Sequence, residues 1–376
     1  MNPDGFPREL LKSPVEDRIA YFLSYTMAHP KLLQAAKELM ACIQSPVGSQ
    51  LVFVFGPTGV GKSTLLQRTT QKIIESSLHK IEEDKSYIPI VGIEAAASED
   101  GNFNWKDFYY RALKALNDPF LEHRMGSYFR GRIANTQSSS KWALRLAFET
   151  SLQQRHPDAF FIDEAQNVGK MSSGRRLKEQ PDSLKSIANL TNNQFILVGT
   201  YELVMLRDLS AQLTRRSTNI HFPRYRMDGP QDEKIFRSIV RSFQRHLPLE
   251  TEPNLLDHWE LCYERSLGCV GILKDWLSRT LGSVLSNDGH DQELTIRDLE
   301  RHAFSIDQSM KMLTEITEEE RRLRPRTSQD ELRAALGMDF PKDTAPKHKT
   351  IEKAKRKAVG TPKPKRRPVG KAKDAS

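Results

Sequence analysis

The stretch Leu51–Thr64, LVFVFGPTGVGKST, organises the rest of the chain. Five apolar residues that favour β structure lead directly into the pattern G-x-x-x-x-G-K-S. We interpret the stretch as a buried strand, a glycine-rich turn and a helix start, which together present backbone N–H groups to a phosphate. A chance glycine-containing turn is the alternative, and the preceding strand disfavours it. The sequence therefore predicts a site for a nucleoside triphosphate.

The turn contains the residue types that phosphate binding needs. Its glycines let backbone N–H groups turn inward without Cβ clashes. We expect Lys62 to reach the β- and γ-phosphates and the Ser63 hydroxyl to hold Mg²⁺. The residues expected around the nucleotide are Gly56, Pro57, Thr58, Gly59, Val60, Gly61, Lys62, Ser63 and Thr64.

The positive charge of the chain is concentrated at its end. The 376 residues carry a net charge of +9. Residues 341–376 hold 13 Lys and Arg against 3 Asp and Glu, whereas the remainder has 44 basic and 45 acidic residues. This Lys/Pro/Ala-rich tail has almost no large apolar residues, so we expect it to be disordered. It is a candidate for binding nucleic acid, and equally for docking a partner or for solubility.

Cysteine usage and hydropathy indicate a soluble protein in a reducing compartment. The three cysteines, Cys42, Cys262 and Cys269, match no zinc spacing, and their odd number argues against a disulfide framework. No run of about 18 apolar residues is present, and the N-terminus lacks the order of a signal peptide. We therefore expect a cytoplasmic location and no membrane partner.

Strands and helices alternate up to residue 225, which predicts a parallel α/β sheet with helices on both faces. Pro89 and Gly92 place the second strand at or near an edge. Expected strands are 51–55, 88–94, 159–164, 195–199 and 219–222. Expected helices are 16–25, 31–44, 64–77, 104–116, 141–154, 182–190 and 201–213, with a basic loop at 169–180.

Beyond residue 225 the pattern is entirely helical. Helices are expected at 232–246, 254–266, 269–284, 296–304, 306–323 and 332–336. We therefore divide the chain into residues 1–45, an arm and helices packing on the core; 46–226, the α/β domain; 227–340, an all-helical lid; and 341–376, the tail.

Two acids follow the strand at 159–162. Carboxylates at the end of such a strand lie at the same sheet edge as the phosphate turn. We expect Asp163 to help hold Mg²⁺, mostly through water, and Glu164 to orient the attacking water. A solvated acid pair is the alternative.

Four further residues are candidates for the same site. Thr200, at the tip of a strand, could contact γ-phosphate and water, or satisfy a turn. Arg216, with Arg215 second, could project into the γ-phosphate of a neighbouring subunit, or be solvated at a helix end. Lys274 could lean over the nucleotide from the lid, and an exposed lysine is equally consistent.

Basic side chains also occur on segments that flank the sheet. Facing a central channel, they would follow a phosphate backbone; ordinary solvated surface is the alternative. The candidates for binding DNA are Arg130, Arg132, Lys141, Arg145, Lys170, Arg175, Arg176 and Lys178.

The ordered set of motifs resembles the AAA+ ATPases: Walker A at 56–64, Walker B at 161–164, sensor 1 at Thr200, arginine fingers at Arg215 and Arg216, and sensor 2 in 268–274. The resemblance implies ATP and Mg²⁺ as cofactors, a P-loop NTPase core with strand order 5-1-4-3-2, and a helical lid. Lys274 departs from it, because the family has arginine at the sensor 2 position.

Further stretches within residues 15–285 resemble the TnsC/TniB transposition regulators. They are Arg18–Phe22, His29-Pro30, Asp107–Leu113, Phe161–Gln166, Leu197–Thr200, Gln212-Leu213 and Phe222–Tyr225. The basic tail has no counterpart among these motifs.

The second resemblance implies an ATP-dependent adaptor in DNA transposition, including CRISPR-associated systems. Such proteins form rings or helical filaments of identical subunits on double-stranded DNA and link a TniQ-type targeting protein to a TnsB-type transposase. ATP hydrolysis then disassembles them. No transposase constellation is evident in this chain. A replication initiator or helicase loader, and an ExeA-like switch ATPase that binds no DNA, are the alternatives.

Overall fold

The computed structural model describes residues 5–45, 50–97, 103–119, 121, 140–169, 175–208, 217–229, 231–286, 293–323 and 327–338, with only the backbone given for 175–181. Within these residues, five parallel strands form one sheet. The strands are β1 (Leu51–Phe55), β2 (Ile90–Glu94), β3 (Ala159–Asp163), β4 (Phe195–Gly199) and β5 (Ser217–His221).

The strand order is β2-β3-β4-β1-β5, which confirms the expected order and the edge position of β2. Phe55 pairs with Gly199, so β1 and β4 end level with each other. Because β4 also pairs with β3, the segments after these three strands meet at one edge of the sheet. That edge is where an α/β sheet binds ligands.

In the described part of the chain, seven helices surround the sheet or precede it in sequence. They are α1 (Val15–Ser24), α2 (Pro30–Gln44), α3 (Lys62–Glu83), α4 (Trp105–Ala115), α5 (Lys141–Arg155), α6 (Arg175–Thr191) and α7 (Glu202–Asp208). Short 3₁₀ turns cover Arg8–Lys12 and Ala165–Gly169.

The two faces of the sheet have separate hydrophobic cores. Phe53 packs with helices α4 to α7, whereas Val52 and Val54 pack with α2 and α3. All five residues of β1 are buried. A strand covered on both sides has this continuous apolar pattern instead of an alternating one.

The C-terminal part is helical, as expected. It contains α8 (Asp232–His246), α9 (Trp259–Ser266), α10 (Val270–Leu285), α11 (Ile296–His302) and α12 (Ile306–Arg322), while α13 (Gln329–Ala335) belongs to a separate compact unit that begins at Pro325. Helix α13 buries none of its residues. The assignment of residues 227–340 to one lid stays a prediction.

Helix α1 does not pack on the α/β core, as expected for residues 1–45, but on the lid. Phe22 lies edge-to-face with Phe243 of α8, and Arg18 donates to the Pro248 carbonyl oxygen. The apolar side of α1 faces the strongly amphipathic helix α8, which needs a cover for its own apolar face.

Helix α6 begins at Arg175, inside the segment expected to be a basic loop. Pro181 predicted a boundary there, because proline lacks an N–H group and disfavours helix before it. The backbone nevertheless remains helical across Pro181. Other boundaries also differ from the expected ones: α3 ends at Glu83 and not at residue 77, and α9 begins at Trp259 and not at residue 254.

Candidate active site at the sheet edge

The phosphate loop joins β1 to helix α3. Gly59 and Gly61 have φ angles of +74° and +111°, in the left-handed region that glycine favours. At Gly56 an added Cβ would lie 2.1 Å from the Phe222 carbonyl oxygen. The three glycines of the motif are thus each required by conformation or by close packing.

Lys62 begins helix α3 and folds back over the loop. Its Nζ donates to the carbonyl oxygens of Gly56 at 3.0 Å and Pro57 at 2.9 Å. Burial lowers the pKa of Lys62, while the nearby carboxylates of Glu164 and Asp163 act to raise it. A buried ammonium that donates to two carbonyl oxygens can also donate a charged hydrogen bond to an anion.

Asp163 and Glu164 follow β3 at the same edge. Asp163 accepts a hydrogen bond from the Glu164 backbone N–H at 2.9 Å, and burial raises the pKa of Asp163. Glu164 has a φ of +50°, unusual for a residue with a side chain. Strained backbone of this kind occurs where a side chain must be aimed at a site.

Thr200 follows β4, between the phosphate loop and the acid pair. Its hydroxyl oxygen is buried and has no hydrogen-bond partner among the described residues. Its backbone N–H donates to the Gln166 side chain at 3.2 Å. A buried hydroxyl without a partner fits a position that faces a polar ligand.

Gln166 received no role from the sequence. It also bonds to Glu164, and its only signal was its place in the stretch Phe161–Gln166. A glutamine three residues after a strand is common enough that the pattern alone could not assign it a function.

The lid touches the phosphate loop directly. The Ile272 N–H at the start of α10 donates to the Gly59 carbonyl oxygen at 3.1 Å. A Cβ on Gly271 would lie 2.4 Å from that same oxygen. This contact brings the first turn of α10 against the loop, which no sequence signal specified.

A small cavity of about 30 Å³ lies beside the loop. Its walls come from the α1–α2 connection, the loop, and the lid helices α8 and α10. It is lined by Thr26, Met27, His29, Leu32, Val60, Gly61, Thr64, Phe243, Val270, Gly271 and Lys274. The mainly apolar walls suit a flat aromatic ring, for which the cavity would have to widen.

His29, in this wall, is neutral at pH 7. Burial, followed by the charge of Lys31, lowers the pKa of His29 to about 4. Its Nδ1 lies 3.0 Å from the Tyr225 hydroxyl oxygen, and its ring stacks near Phe222. A neutral imidazole adds no charge to the cavity.

Lys274 also lines the cavity, but its Nζ donates to the Leu23 carbonyl oxygen at 2.6 Å, at the end of α1. In this structure its ammonium therefore joins α1 to the lid. A role in contacting the nucleotide stays a prediction.

The connection between the sheet and the lid is clamped by helix α12. Glu320 accepts from Arg224 at 2.9 Å and from Arg226 at 3.0 Å. The side chains of Arg224 and Glu320 are only 9% and 10% exposed. Arg224 also donates to the Leu267 carbonyl oxygen, so the clamp reaches the segment that precedes α10.

We expect Glu320→Ala to lower the free energy of unfolding by about 3 kcal/mol, because it leaves the buried Arg224 guanidinium without its carboxylate. Urea denaturation followed by circular dichroism measures the change. Glu318→Ala, two residues earlier on α12 and exposed, is the matched control. Equal stability of the two variants would show that the clamp contributes nothing.

The remaining candidates from the sequence either lie outside the described residues or make contacts within the chain. Five candidates lie outside the described residues: Arg215, Arg216, Arg130, Arg132 and Lys170. For three others only the helical backbone is described: Arg175, Arg176 and Lys178. Lys141 lies over the Trp105 ring. Arg145 is bound to Glu149 and Ser186, so its guanidinium already has intramolecular partners.

The residues at the sheet edge fit a nucleoside triphosphate with Mg²⁺. Lys62 and the loop N–H groups suit phosphates, and the buried Thr200 hydroxyl, which has no partner among the described residues, could bond to a polar ligand. No group of three or more His, Cys, Asp or Glu in the described part of the chain could hold a metal ion alone. Ser63 and Asp163, completed by phosphate oxygens and water, are the donors that suit Mg²⁺ in such a site.

Comparison with known proteins gives the class. Residues 47–206 match the family model described as "AAA domain". The ORC1 protein of Aeropyrum pernix, solved in complex with DNA, is similar in structure with a TM-score of 0.51 at 13% identity, over 76% of this chain and 68% of that one. This likeness shows the fold.

Two other solved structures score lower. The ORC2 protein of Aeropyrum pernix in its ADP form has a TM-score of 0.49 at 13% identity, over 75% of this chain and 71% of that one. The Walker-type ATPase PABY2304 of Pyrococcus abyssi has a TM-score of 0.44 at 17% identity, over 82% and 85%. No curated protein matches the sequence.

The fold is a parallel α/β sheet with a helical C-terminal part, and residues 47–206, less than half of the chain, match the AAA domain model. The chain is an ATPase that uses ATP with Mg²⁺. Among the described residues, no helix has the length and apolar content to cross a membrane.

Proposed function

We propose that this ATPase regulates DNA transposition. In this proposal ATP lets it oligomerise on double-stranded DNA, where it bridges a TniQ-type targeting protein and a TnsB-type transposase. Hydrolysis then disassembles the oligomer. The chain itself joins no DNA strands.

One observation carries the proposal beyond the general ATPase motifs. Three of the stretches that resemble the transposition regulators, Arg18–Phe22, His29-Pro30 and Phe222–Tyr225, lie together where the sheet meets the lid. The His29 imidazole and the Tyr225 hydroxyl bond to each other across the junction. Residues that are far apart in sequence thus form one connected structure.

The same junction is continuous with the phosphate loop. A Cβ on Gly56 would strike the Phe222 carbonyl oxygen, and Tyr21 of the first stretch bonds to His246 of the lid at 2.7 Å. In this proposal, a movement of the phosphate loop on hydrolysis shifts α1 and the lid. These are the parts that can present a surface to a neighbouring subunit. This is the coupling that an ATP-controlled assembly needs.

The chemistry assigned to the site is simple. Ser63 and Asp163 would hold Mg²⁺, whose charge would offset that of the phosphates. Glu164 orients the attacking water, and Thr200 contacts water and γ-phosphate. Arg216 or Arg215 of a neighbouring subunit stabilises the charge that develops on the phosphate, so that hydrolysis depends on assembly.

DNA binding in this proposal is backbone binding. Contacts with phosphates carry little sequence information, which suits an adaptor whose target is chosen by another protein. The basic tail, residues 341–376, and the candidates on helices α5 and α6 are the groups that would supply such contacts.

The test is to mix the purified chain with double-stranded DNA and a non-hydrolysable ATP analogue, and to examine it by electron microscopy. We expect rings or filaments on DNA with the analogue and free protein with ADP or without nucleotide. Absence of any assembly on DNA would overturn the proposal.

A second arm separates transposition from initiation or helicase loading. A TnsB-type transposase and a TniQ-type protein are added to the assembled chain, and retention on the DNA–protein complex is measured by co-sedimentation. We expect retention that requires the analogue. If a replicative helicase is retained and the transposase is not, the initiator or loader reading replaces this one.

A further inference from the structure

Gln166 connects two parts of the site through a single side chain. It lies in the 3₁₀ turn after Glu164 and is only 8% exposed. Its Nε2 donates to the Glu164 carboxylate at 2.5 Å, and its Oε1 accepts from the Thr200 backbone N–H at 3.2 Å. The donor and the acceptor of the carboxamide are thus both engaged, each with a different strand end.

The surroundings are shaped to admit this side chain. A Cβ on Gly199 would lie 2.2 Å from the Gln166 Oε1, so a side chain at this position would displace the Gln166 carboxamide. The turn that carries Gln166 is itself anchored, because Asn167 donates to the Ala95 carbonyl oxygen at 2.8 Å. Gln166 therefore has little freedom to turn away.

We propose that Gln166 is a positioning residue, which holds the Glu164 carboxylate in the orientation used for hydrolysis and ties that orientation to the end of strand β4. The inference rests on the proposed role of Glu164. It adds that the water-orienting carboxylate and the Thr200 segment move as one unit.

The physical reason lies in the two hydrogen bonds. A carboxylate can only accept, so Gln166 must present its NH₂ group to Glu164 and its oxygen to Thr200. A hydrogen bond donated to a charged carboxylate is stronger than a neutral one. Without it, Glu164 would reach its working geometry less often.

Two substitutions at Gln166 separate the two bonds. Gln166→Glu keeps an acceptor for Thr200 but places a negative charge beside Glu164. Gln166→Met keeps the length of the side chain and removes both bonds. Gln154→Glu adds the same charge at an exposed position on α5 and serves as the control.

We expect Gln166→Glu to lower kcat at pH 7 by roughly tenfold to a hundredfold, because its negative charge repels the Glu164 carboxylate from its working position. Gln166→Met should also lower kcat, by a smaller factor. In both variants the affinity for a fluorescent ATP analogue should change by less than about threefold, since no phosphate contact is removed.

A readout without nucleotide tests the second bond. Amide hydrogen exchange at Thr200 should be faster in Gln166→Met than in the unaltered chain and should remain slow in Gln166→Glu. A purely structural role would instead raise exchange across β4 in both variants and lower the melting temperature in parallel.

The outcomes also separate this inference from the role of Glu164. If Glu164→Gln turns over ATP normally, the assignment of Glu164 fails. If Glu164→Gln is inactive while both Gln166 variants match the control in kcat and in amide exchange at Thr200, Gln166 does not position Glu164 and the inference alone is overturned.

Discussion

Glu164→Gln is expected to lower kcat for ATP hydrolysis by about a hundredfold or more, the range that a general base contributes. The amide has the size of the carboxylate but lacks the negative charge that polarises water. The backbone at Glu164 has a φ of +50°, which gives its side chain a direction that the usual negative φ would not give. Another carboxylate is therefore not expected to replace it.

Nucleotide binding should survive the same substitution. Glu164 lies beside Lys62 and does not belong to the loop that encloses the phosphates. Removing a negative charge near bound phosphates also removes a repulsion, so affinity should stay the same or rise. On DNA, we expect the variant to remain assembled with ATP, as a chain that cannot hydrolyse would.

The measurements are phosphate release at saturating ATP and Mg²⁺, and affinity from a fluorescent ATP analogue. Glu94→Gln is the control, because Glu94 ends strand β2 at the same edge of the sheet, next to Asp163 in the pairing of β2 with β3. Turnover by Glu164→Gln at the control's rate would refute the role assigned to Glu164.

Lys62→Ala is expected to weaken ATP binding by about a hundredfold or more, because charged hydrogen bonds to phosphate contribute roughly 1.5–3 kcal/mol each. The loss should be specific to the bound state. In the unbound chain Lys62 is buried, and burial lowers its pKa, so the folded protein already bears a cost for keeping this ammonium.

Melting temperatures with and without ATP measure this loss of affinity. A ligand that binds only the folded chain raises the melting temperature, and the rise disappears when affinity is lost. We expect the rise with ATP and Mg²⁺ in the unaltered chain and in Lys72→Ala, an exposed control on α3, but not in Lys62→Ala. A full rise in Lys62→Ala would contradict the phosphate role of Lys62.

Much of the fold followed from local pattern. The five strands were placed to within a few residues. For β1, β3 and β4 the signal was a continuous apolar run bounded by turns, which is typical of strands buried on both faces. Helix boundaries were less predictable. Pro181 suggested a loop before α6, yet tertiary packing against α5 and α7 tolerates a proline inside that helix.

The candidate site was predicted in part. Lys62, Asp163, Glu164 and Thr200 meet at one edge of the sheet because parallel strands end together there. The clamp at Glu320 was missed. The backbone contact of Gly271 was also missed, although Gly271 lies in the stretch 268–274 that was assigned to sensor 2. Each residue owes its importance to an atom on a distant segment.

The sequence by itself determined the phosphate loop and the acids after β3, because both depend on neighbours within a few positions. A G-K-S turn and an apolar run ending in Asp-Glu carry their own geometry. These local patterns suffice to define an ATPase.

Only the tertiary structure decided how the parts are connected. Gln166 meets Thr200 across 34 residues, and Arg224 meets Glu320 across 96. Such pairs form because the sheet order and the packing of α12 bring their segments together, and a hydrogen bond acts only over about 3 Å. A sequence pattern does not show which distant residues lie close together, whereas the fold does.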